Sequence, residues 1–326
     1  MLRATGSTAS FPMEIALAHS ATPGRLRRLQ SHKPWLVSRK LDGIRCIVIV
    51  SLDCTGSHPR VAEVYTLSRS GRPLESLGPF RRQLCQDLEA YPDLGALAGP
   101  PDSHGQAQFV LDGELCALRP TEDARGETYV EDFLHTLSVV RRHTDSPTPI
   151  ILFPFDCMPL DAFVRWRAYL EQGRAPPLQE RLAPLRALVD WCLAQRRDTC
   201  LRHLEQVSVS DLSSLDRLLQ QATDRQWEGL MVRGDRPYEG RRTSSLLKLR
   251  DTQEAEYVVR DVVVTTMRLP VQGHYEERPA LSRRSHADRQ MSSLSTKARA
   301  SRSAPGSRLT SGSGTARIPS RSAARP

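Results

Sequence analysis

The feature that most limits this chain is a break in composition after Leu281. From Ser282 to Pro326, 12 of 45 residues are serine and nine are arginine, with no aromatic residue among them. Such a segment cannot bury enough apolar surface to offset the entropy of ordering it. The tail is expected to be disordered, which leaves 281 of the 326 residues to build a fold. The same break accounts for the charge. The chain carries a formal +9, but residues 282–326 hold ten of its 46 basic groups and one of its 37 acids. The body has 36 of each and is neutral. The basic pI therefore describes the tail, and any nucleic-acid binding by the body has to be argued from placed residues.

The body is long enough for about two domains. It contains no run of roughly 18 apolar residues of the kind that spans a bilayer. Seven scattered cysteines, with no CxxC pair, fit reduced thiols in an intracellular compartment better than a disulfide framework or a zinc site. Met1–Ser10 reads as an unstructured terminus rather than an organellar leader. Residues 35–50 (WLVSRKLDGIRCIVIV) predict strand, tight turn and strand, with Asp42-Gly43 as the turn. Further strands are expected at 61–68, 150–158, 227–233 and 244–250, and a bulged strand or strand pair at 108–118. Helices are expected around Phe80–Leu88, at 131–143 with Phe133, Leu134, Leu137 and Val140 on one face, and at 178–197 and 211–222. Strands and helices intermingle without a βαβ rhythm, which points to an α+β fold with largely antiparallel sheets.

The chemistry-bearing residues begin at Lys40-Leu41-Asp42-Gly43-Ile44-Arg45. A lysine at a strand end beside a tight turn can be held rigidly at a pocket mouth, and an amine among other cations gives up its proton more readily. Asp42 could help hold a divalent metal, and Arg45 could pair with a phosphate or a sugar hydroxyl. No GxxxxGK(S/T) phosphate loop is present, so ATP use by that route is disfavoured. No His spacing suggests a metal.

The hexapeptide resembles the nucleotidyl-lysine motif KxDGxR of ATP-dependent DNA ligases and of their relatives, the RNA ligases and mRNA capping enzymes. Five more elements follow in the family's order. Ser68-Arg69-Ser70-Gly71 is similar to SRxG, and Asp112-Gly113-Glu114 to DGE. Phe153-Pro154-Phe155-Asp156 is similar to the aromatic-FD strand, Glu228-Gly229-Leu230-Met231-Val232 to EG(L/I)(M/V)(V/L), and Leu247-Lys248-Leu249-Arg250 to the last catalytic motif. The resemblance implies a nucleotidyltransferase fold: two mainly antiparallel sheets with flanking helices and AMP bound between them. It implies a DNA ligase that is monomeric, uses ATP and Mg²⁺, and acts on nicked duplex DNA in replication, repair or recombination.

Residue by residue, the resemblance makes Lys40 the nucleophile at the α-phosphorus of ATP. Lys248 and Arg250 would supply the positive field at that phosphate. Phe155 would stack on adenine, Ser38 would contact its edge, and Glu114 would accept a hydrogen bond from a ribose hydroxyl. Glu228 and Asp42 would orient Mg²⁺, mainly through water. Arg45 and Arg69 would engage sugar and phosphates near the nick. Arg250 departs from the family's usual second lysine, exchanging a compact ammonium for a planar fork.

Family ligases continue into an OB-fold with a basic RxDK-like element that orients the leaving pyrophosphate. Residues 256–267 read as a first OB strand and 268–281 as the start of the next, and then the pattern dissolves. The expected organisation is an N-terminal segment over 1–34, an adenylation domain over 35–250, a partial OB remnant over 251–281 and the tail. The tail reads either as an out-of-frame end or as a genuine basic extension that neutralises phosphates. The first is favoured, because a half-built barrel exposes strand edges. Without RxDK, self-adenylylation is expected to be slow or absent. RNA ligation, mRNA capping and a non-catalytic nucleotide-binding remnant are the competing functions.

Overall fold

The computed structural model describes residues 13–29, 34–120, 129–195 and 198–250, and the backbone of 264–271 and 274–281. In chain order these form β1 (Leu17–Ser20), α1 (Pro23–Leu29), β2 (Trp35–Arg39), β3 (Ile44–Asp53), β4 (Arg60–Ser68), α2 (Gly78–Glu89) and α3 (Leu94–Ala98). Next come β5 (Gln106–Cys116), β6 (Leu118–Pro120), β7 (Tyr129–Glu131), α4 (Phe133–Val140), β8 (Ile151–Pro159), α5 (Leu160–Val164), α6 (Trp166–Glu171) and α7 (Leu178–Gln195). The series ends with β9 (Gln206–Val209), α8 (Leu212–Asp224), β10 (Leu230–Gly234), β11 (Arg242–Leu249), β12 (Val264–Val271) and β13 (His274–Leu281). The chain divides into two units, Met1–Thr252 and Gln253–Pro326.

Two sheets dominate the first unit. A four-stranded antiparallel sheet has the order β4-β3-β5-β8, and a five-stranded sheet the order β1-β11-β10-β2-β9. The second is antiparallel except for β1, which runs parallel to β11. One face of the four-stranded sheet (Cys46, Val48, Leu111, Leu115) packs against Leu84 and Leu88 of α2, Leu94 of α3 and Leu182, Leu185 and Leu188 of α7. Its other face (Ile47, Ile49, Val110, Met158) meets Ile15, Phe163, Trp166 and Tyr238. The outer face of the five-stranded sheet (Trp35, Val37, Val232, Leu247) packs on Leu29 and on Leu215 and Ala222 of α8. This is the mixed α+β architecture that the pattern of strands and helices implied.

Three expectations need correction. Residues 35–50 are not a hairpin: β2 pairs with β10 and β9, while β3 pairs with β4 and β5. The four residues Lys40–Gly43 cross from one sheet to the other. Cys46–Val50 are buried because layers pack on both faces of the sheet, and β3 lies inside that sheet between β4 and β5. Helix α4 turns only part of its expected apolar face inward, with Val140 packed against the core. It buries Thr136 and Val139, whereas Leu134 is 69% exposed and Phe133 37%. The Thr136 hydroxyl accepts from Ala117 N and donates to Asp132 O, so a polar anchor fixes the helix's rotation. The N-terminal residues are no mere lead-in, since β1 is an edge strand of the five-stranded sheet.

In the second unit, β12 and β13 form an antiparallel pair running from Val264↔Leu281 to Val271↔His274. The strand expected at 256–267 lies outside the described residues as far as 263, and its last four residues open β12. The 282–326 tail and Met1–Ser10 also lie outside them. Among the described residues no helix is long and apolar enough to cross a membrane. All seven cysteines are free.

Candidate active site

Strand parity determines which side chains enter the space between the sheets. Cross-strand partners share a face, and residues two apart along a strand return to it. In the five-stranded sheet, Lys248, Met231, Ser38 and Gln206 form one transverse row on the face opposite the outer core. Lys40 follows Ser38 by two residues, and its amide donates to Gly229 O at 2.8 Å. In the four-stranded sheet, Arg45 stands opposite Glu114 and Ile47 opposite Asp112, on the face that carries Ile49 and Val110. The chemistry-bearing residues of both sheets thus converge on one cleft.

Two glycines make the convergence possible. A Cβ on Gly43 would stand 2.4 Å from Leu115 O and 2.6 Å from Cys116 Sγ, so only glycine lets the Lys40–Arg45 segment settle onto β5 beside Glu114. Gly229 has φ +145°, and its Cβ would meet Leu249 O at 2.2 Å. That close approach brings Glu228 alongside the end of β11.

Glu228 is the hub. One carboxylate oxygen pairs with Lys40 Nζ and the other with Arg250 Nη2. Lys248 is half-buried, and no ion pair holds its ammonium among the described residues. Glu114 is pushed up to about 8, first by burial; the charges of Arg45 and Lys40 act against the shift. Asp42 stands exposed at the cleft mouth. Its carboxyl is raised by desolvation and by the charge of Glu228, with Lys40 and Arg250 opposing.

Arg45 is committed to the protein. Its Nε and Nη2 donate to Asp112 at 2.8 and 2.5 Å, and its Nη1 donates to Ala16 O at 2.6 Å. Burial works against its charge, but Asp112 more than restores it and raises its pKa. All three nitrogens are engaged, so Asp112 and Ala16 fix the guanidinium in the cleft floor, with one N–H each on Nη1 and Nη2 beyond these bonds. Arg69 is exposed in the turn after β4. Ser38 is buried on β2. Phe155 is half-buried on β8, with the guanidinium carbons of Arg45 and Arg233 at 5.3 and 4.5 Å from its ring centroid.

The motifs alone did not reveal the counter-charges. Arg181 of α7 grips Asp156 through Nε–Oδ1 at 2.8 Å and Nη2–Oδ2 at 3.0 Å. Tyr238 accepts from Ala16 N at 3.0 Å and so ties the N-terminal segment to the cleft. Arg233 is buried between the sheets, and burial lowers its pKa. Its sequence signal was parity, because an arginine two residues after Met231 in an otherwise apolar strand shares the inward face. A cavity of ≈420 Å³ lies between α7 and residues 203–206, lined by Leu182, Val189, Asp190, His203 and Gln206, the last of which ends the inward row.

The model of the ATP-dependent DNA ligase domain matches residues 15–250. Among solved structures, the chain is similar to the ATP-dependent DNA ligase of bacteriophage T7 in complex with ATP, at 18% identity and a TM-score of 0.50, covering 82% of this chain and 80% of that one. It is also similar to Chlorella virus DNA ligase-adenylate (15% identity, TM-score 0.43, 88% and 91% covered). A third is a Naegleria gruberi RNA ligase with ATP and Mn (13%, 0.36, 73% and 56% covered). No curated protein matches the sequence.

Proposed function

From the premise that this chain belongs to the ATP-dependent DNA ligase domain family, we propose that it seals nicks between 5′-phosphate and 3′-hydroxyl ends in duplex DNA through a lysine–AMP intermediate. The observation that carries this reading is the hub at Glu228, which holds Lys40 and Arg250 in a cleft shared with Lys248 and Glu114. Lys40 Nζ, once it has lost a proton, attacks the α-phosphorus of ATP. The N–P bond forms as the bond to pyrophosphate breaks. Glu228 already touches the ammonium and is placed to receive that proton. Lys248, with no ion-pair partner of its own among the described residues, stabilises charge on the α-phosphate. A 5′-phosphate oxygen then displaces Lys40 and takes the AMP. The 3′-hydroxyl attacks the activated 5′-phosphate and AMP leaves.

Asp42 and Glu228 suit Mg²⁺ as a pair of carboxylates close enough that one raises the proton affinity of the other. No cluster of three or more His, Cys, Asp or Glu groups that could hold a metal occurs among the described residues. A mostly hydrated ion therefore fits better than a protein cage. The ion would screen phosphate charge. Phe155 and Ser38 are read as the base site, Glu114 as a ribose contact and Arg69 as a nucleic-acid contact. The adenylation domain is read as 35–250 completed by the N-terminal strand β1, with 251–281 as a partial OB-fold.

The test is transfer of label from [α-³²P]ATP to the protein with Mg²⁺, together with sealing of a nicked duplex and of nicked RNA. Acid-labile label that accumulates slowly, as the lack of an RxDK element implies, and that disappears in Lys40→Ala is expected, with any sealing confined to DNA. Label or sealing that survives Lys40→Ala would overturn the assignment of the nucleophile. Sealing of RNA in preference to DNA would overturn the substrate.

A further inference from the structure

Between the two sheets lies a layer of buried charge in which one cation is left over. Arg45 takes Asp112 and Arg181 takes Asp156, each through two hydrogen bonds. Arg233, 8% exposed, has no carboxylate partner among the described residues, and its Nε is buried without an acceptor. An unpaired buried cation is costly unless something else offsets its desolvation. Here the nearby charges of Asp156 and Asp112 supply part of the offset, and Phe155 supplies the direct contacts. The Arg233 guanidinium carbon lies 4.5 Å from the ring centroid, and Nη1 donates to the Phe155 carbonyl at 3.0 Å. One side chain thus holds both the ring and the backbone of the same residue.

The position of Phe155 explains why such a hold matters. The β5–β8 ladder shifts register between Asp112 and Gly113, where Asp112 faces Asp156 and Gly113 faces Pro154. Phe155 falls in the shift and has no Cα partner across the ladder. Such a bulge re-aims a side chain and leaves its direction to other contacts. Arg45 also nears the ring, at 5.3 Å, but its nitrogens are committed to Asp112 and Ala16. Arg233 comes from the other sheet and is the strut that reaches the ring across the cleft.

We propose that Arg233 is a positioning residue for the nucleotide: by clamping Phe155 from β10 it fixes the aromatic platform on which the base of ATP stacks. The proposal rests on the nucleotidyltransferase reading above and deepens it. Arg233 touches no substrate and acts only through the ring.

The experiment is calorimetric titration of the full chain with Mg-ATP, for the unsubstituted protein and for Arg233→Met, Arg233→Lys, Phe155→Leu and the double variant Arg233→Met/Phe155→Leu. Thermal unfolding is followed in parallel. Arg233→Met is expected to weaken ATP binding about three- to thirtyfold, the span from an exposed to a desolvated cation–π contact. Arg233→Lys, which keeps charge without the planar fork, should recover part of the loss. In the Phe155→Leu background the Arg233→Met change should add less than twofold, because its route is already cut. Should Arg233→Met fail to fold, Arg233→Lys alone and combined with Phe155→Leu carries the same comparison. Unchanged ATP affinity in a variant whose melting temperature falls, or fully additive losses, would overturn this inference and leave the enzyme reading intact. Failure of the unsubstituted chain to bind ATP would overturn both.

Discussion

Glu114 makes a pH prediction whose sign is fixed. In the folded protein its carboxyl is pushed up to about 8, chiefly by burial, whereas in an unfolded chain a glutamic acid titrates near ~4.3. Between these two values the folded protein keeps a proton that the unfolded chain has released. The unfolded state then binds fewer protons, so stability falls as pH rises through the window. The contribution is intact below about pH 4 and spent above about pH 8. A full proton difference corresponds to about 1.4 kcal/mol per pH unit. From pH 5 to pH 7 the loss is at most about 2.7 kcal/mol, and partial exposure of the side chain reduces it to about 1–2 kcal/mol. Glu114→Gln keeps the shape and removes the titration. Urea unfolding of both proteins at pH 5, 6 and 7 isolates the residue, because the raised Asp42 carboxyl is common to both. The stability of the unsubstituted protein relative to Glu114→Gln should decline across the series by that amount. A flat or rising difference would refute the claim that Glu114 is held protonated by burial.

Two other perturbations probe the scaffold beneath the site. Asp112→Ala strands the Arg45 guanidinium, and loss of one partner of a buried pair costs about 3–5 kcal/mol; urea unfolding should show this, and the double variant Arg45→Met/Asp112→Leu should recover much of it. Gly229→Ala places a Cβ 2.2 Å from Leu249 O at φ +145°, a strain of about 1–3 kcal/mol. Because Glu228 is its neighbour, label transfer to Lys40 should fall at least about tenfold, and normal labelling with normal stability would refute the close-packing argument.

What the sequence could convey about the fold depended on the range of the deciding interactions. Helix α7 was readable because Leu178, Leu182, Leu185, Leu188 and Val189 recur on one stripe, all of them buried. Helix α8 was readable for the same reason, with Asp211 before it as the N-cap, accepting from Ser214 N at 2.7 Å. The 35–50 segment misled because its local signal, an Asp-Gly between two apolar runs, is the signal of a hairpin. The alternative partners lie far along the chain, β10 for β2 and β5 for β3. Helix α4 misled in part for a related reason: Thr136, anchored by hydrogen bonds to the backbone at Ala117 and Asp132, sets a rotation that leaves Phe133 and Leu134 exposed while Val140 still packs on the core.

The candidate site divides along the same line. Lys40, Glu114, Glu228 and Lys248 were singled out by the resemblance of their motifs to those of the ligases, and strand parity then shows which face of each sheet carries Lys248 and Glu114. What each side chain does was less legible, because that depends on which opposite charge reaches it first. Arg45 reads from its motif as a substrate contact, and the motif gives no sign that Asp112, 67 residues away, also holds two of its nitrogens. Asp156 reads as part of an aromatic motif until Arg181, 25 residues on, closes around it. Once those pairs are made, the cations still uncommitted to any carboxylate among the described residues of the cleft are Lys248 and Arg233. One is half-buried on the inward face, available to an incoming phosphate. The other is buried against the ring that would receive the base. The division of labour within the cleft therefore follows from which guanidinium or ammonium groups the protein's own acids leave unclaimed.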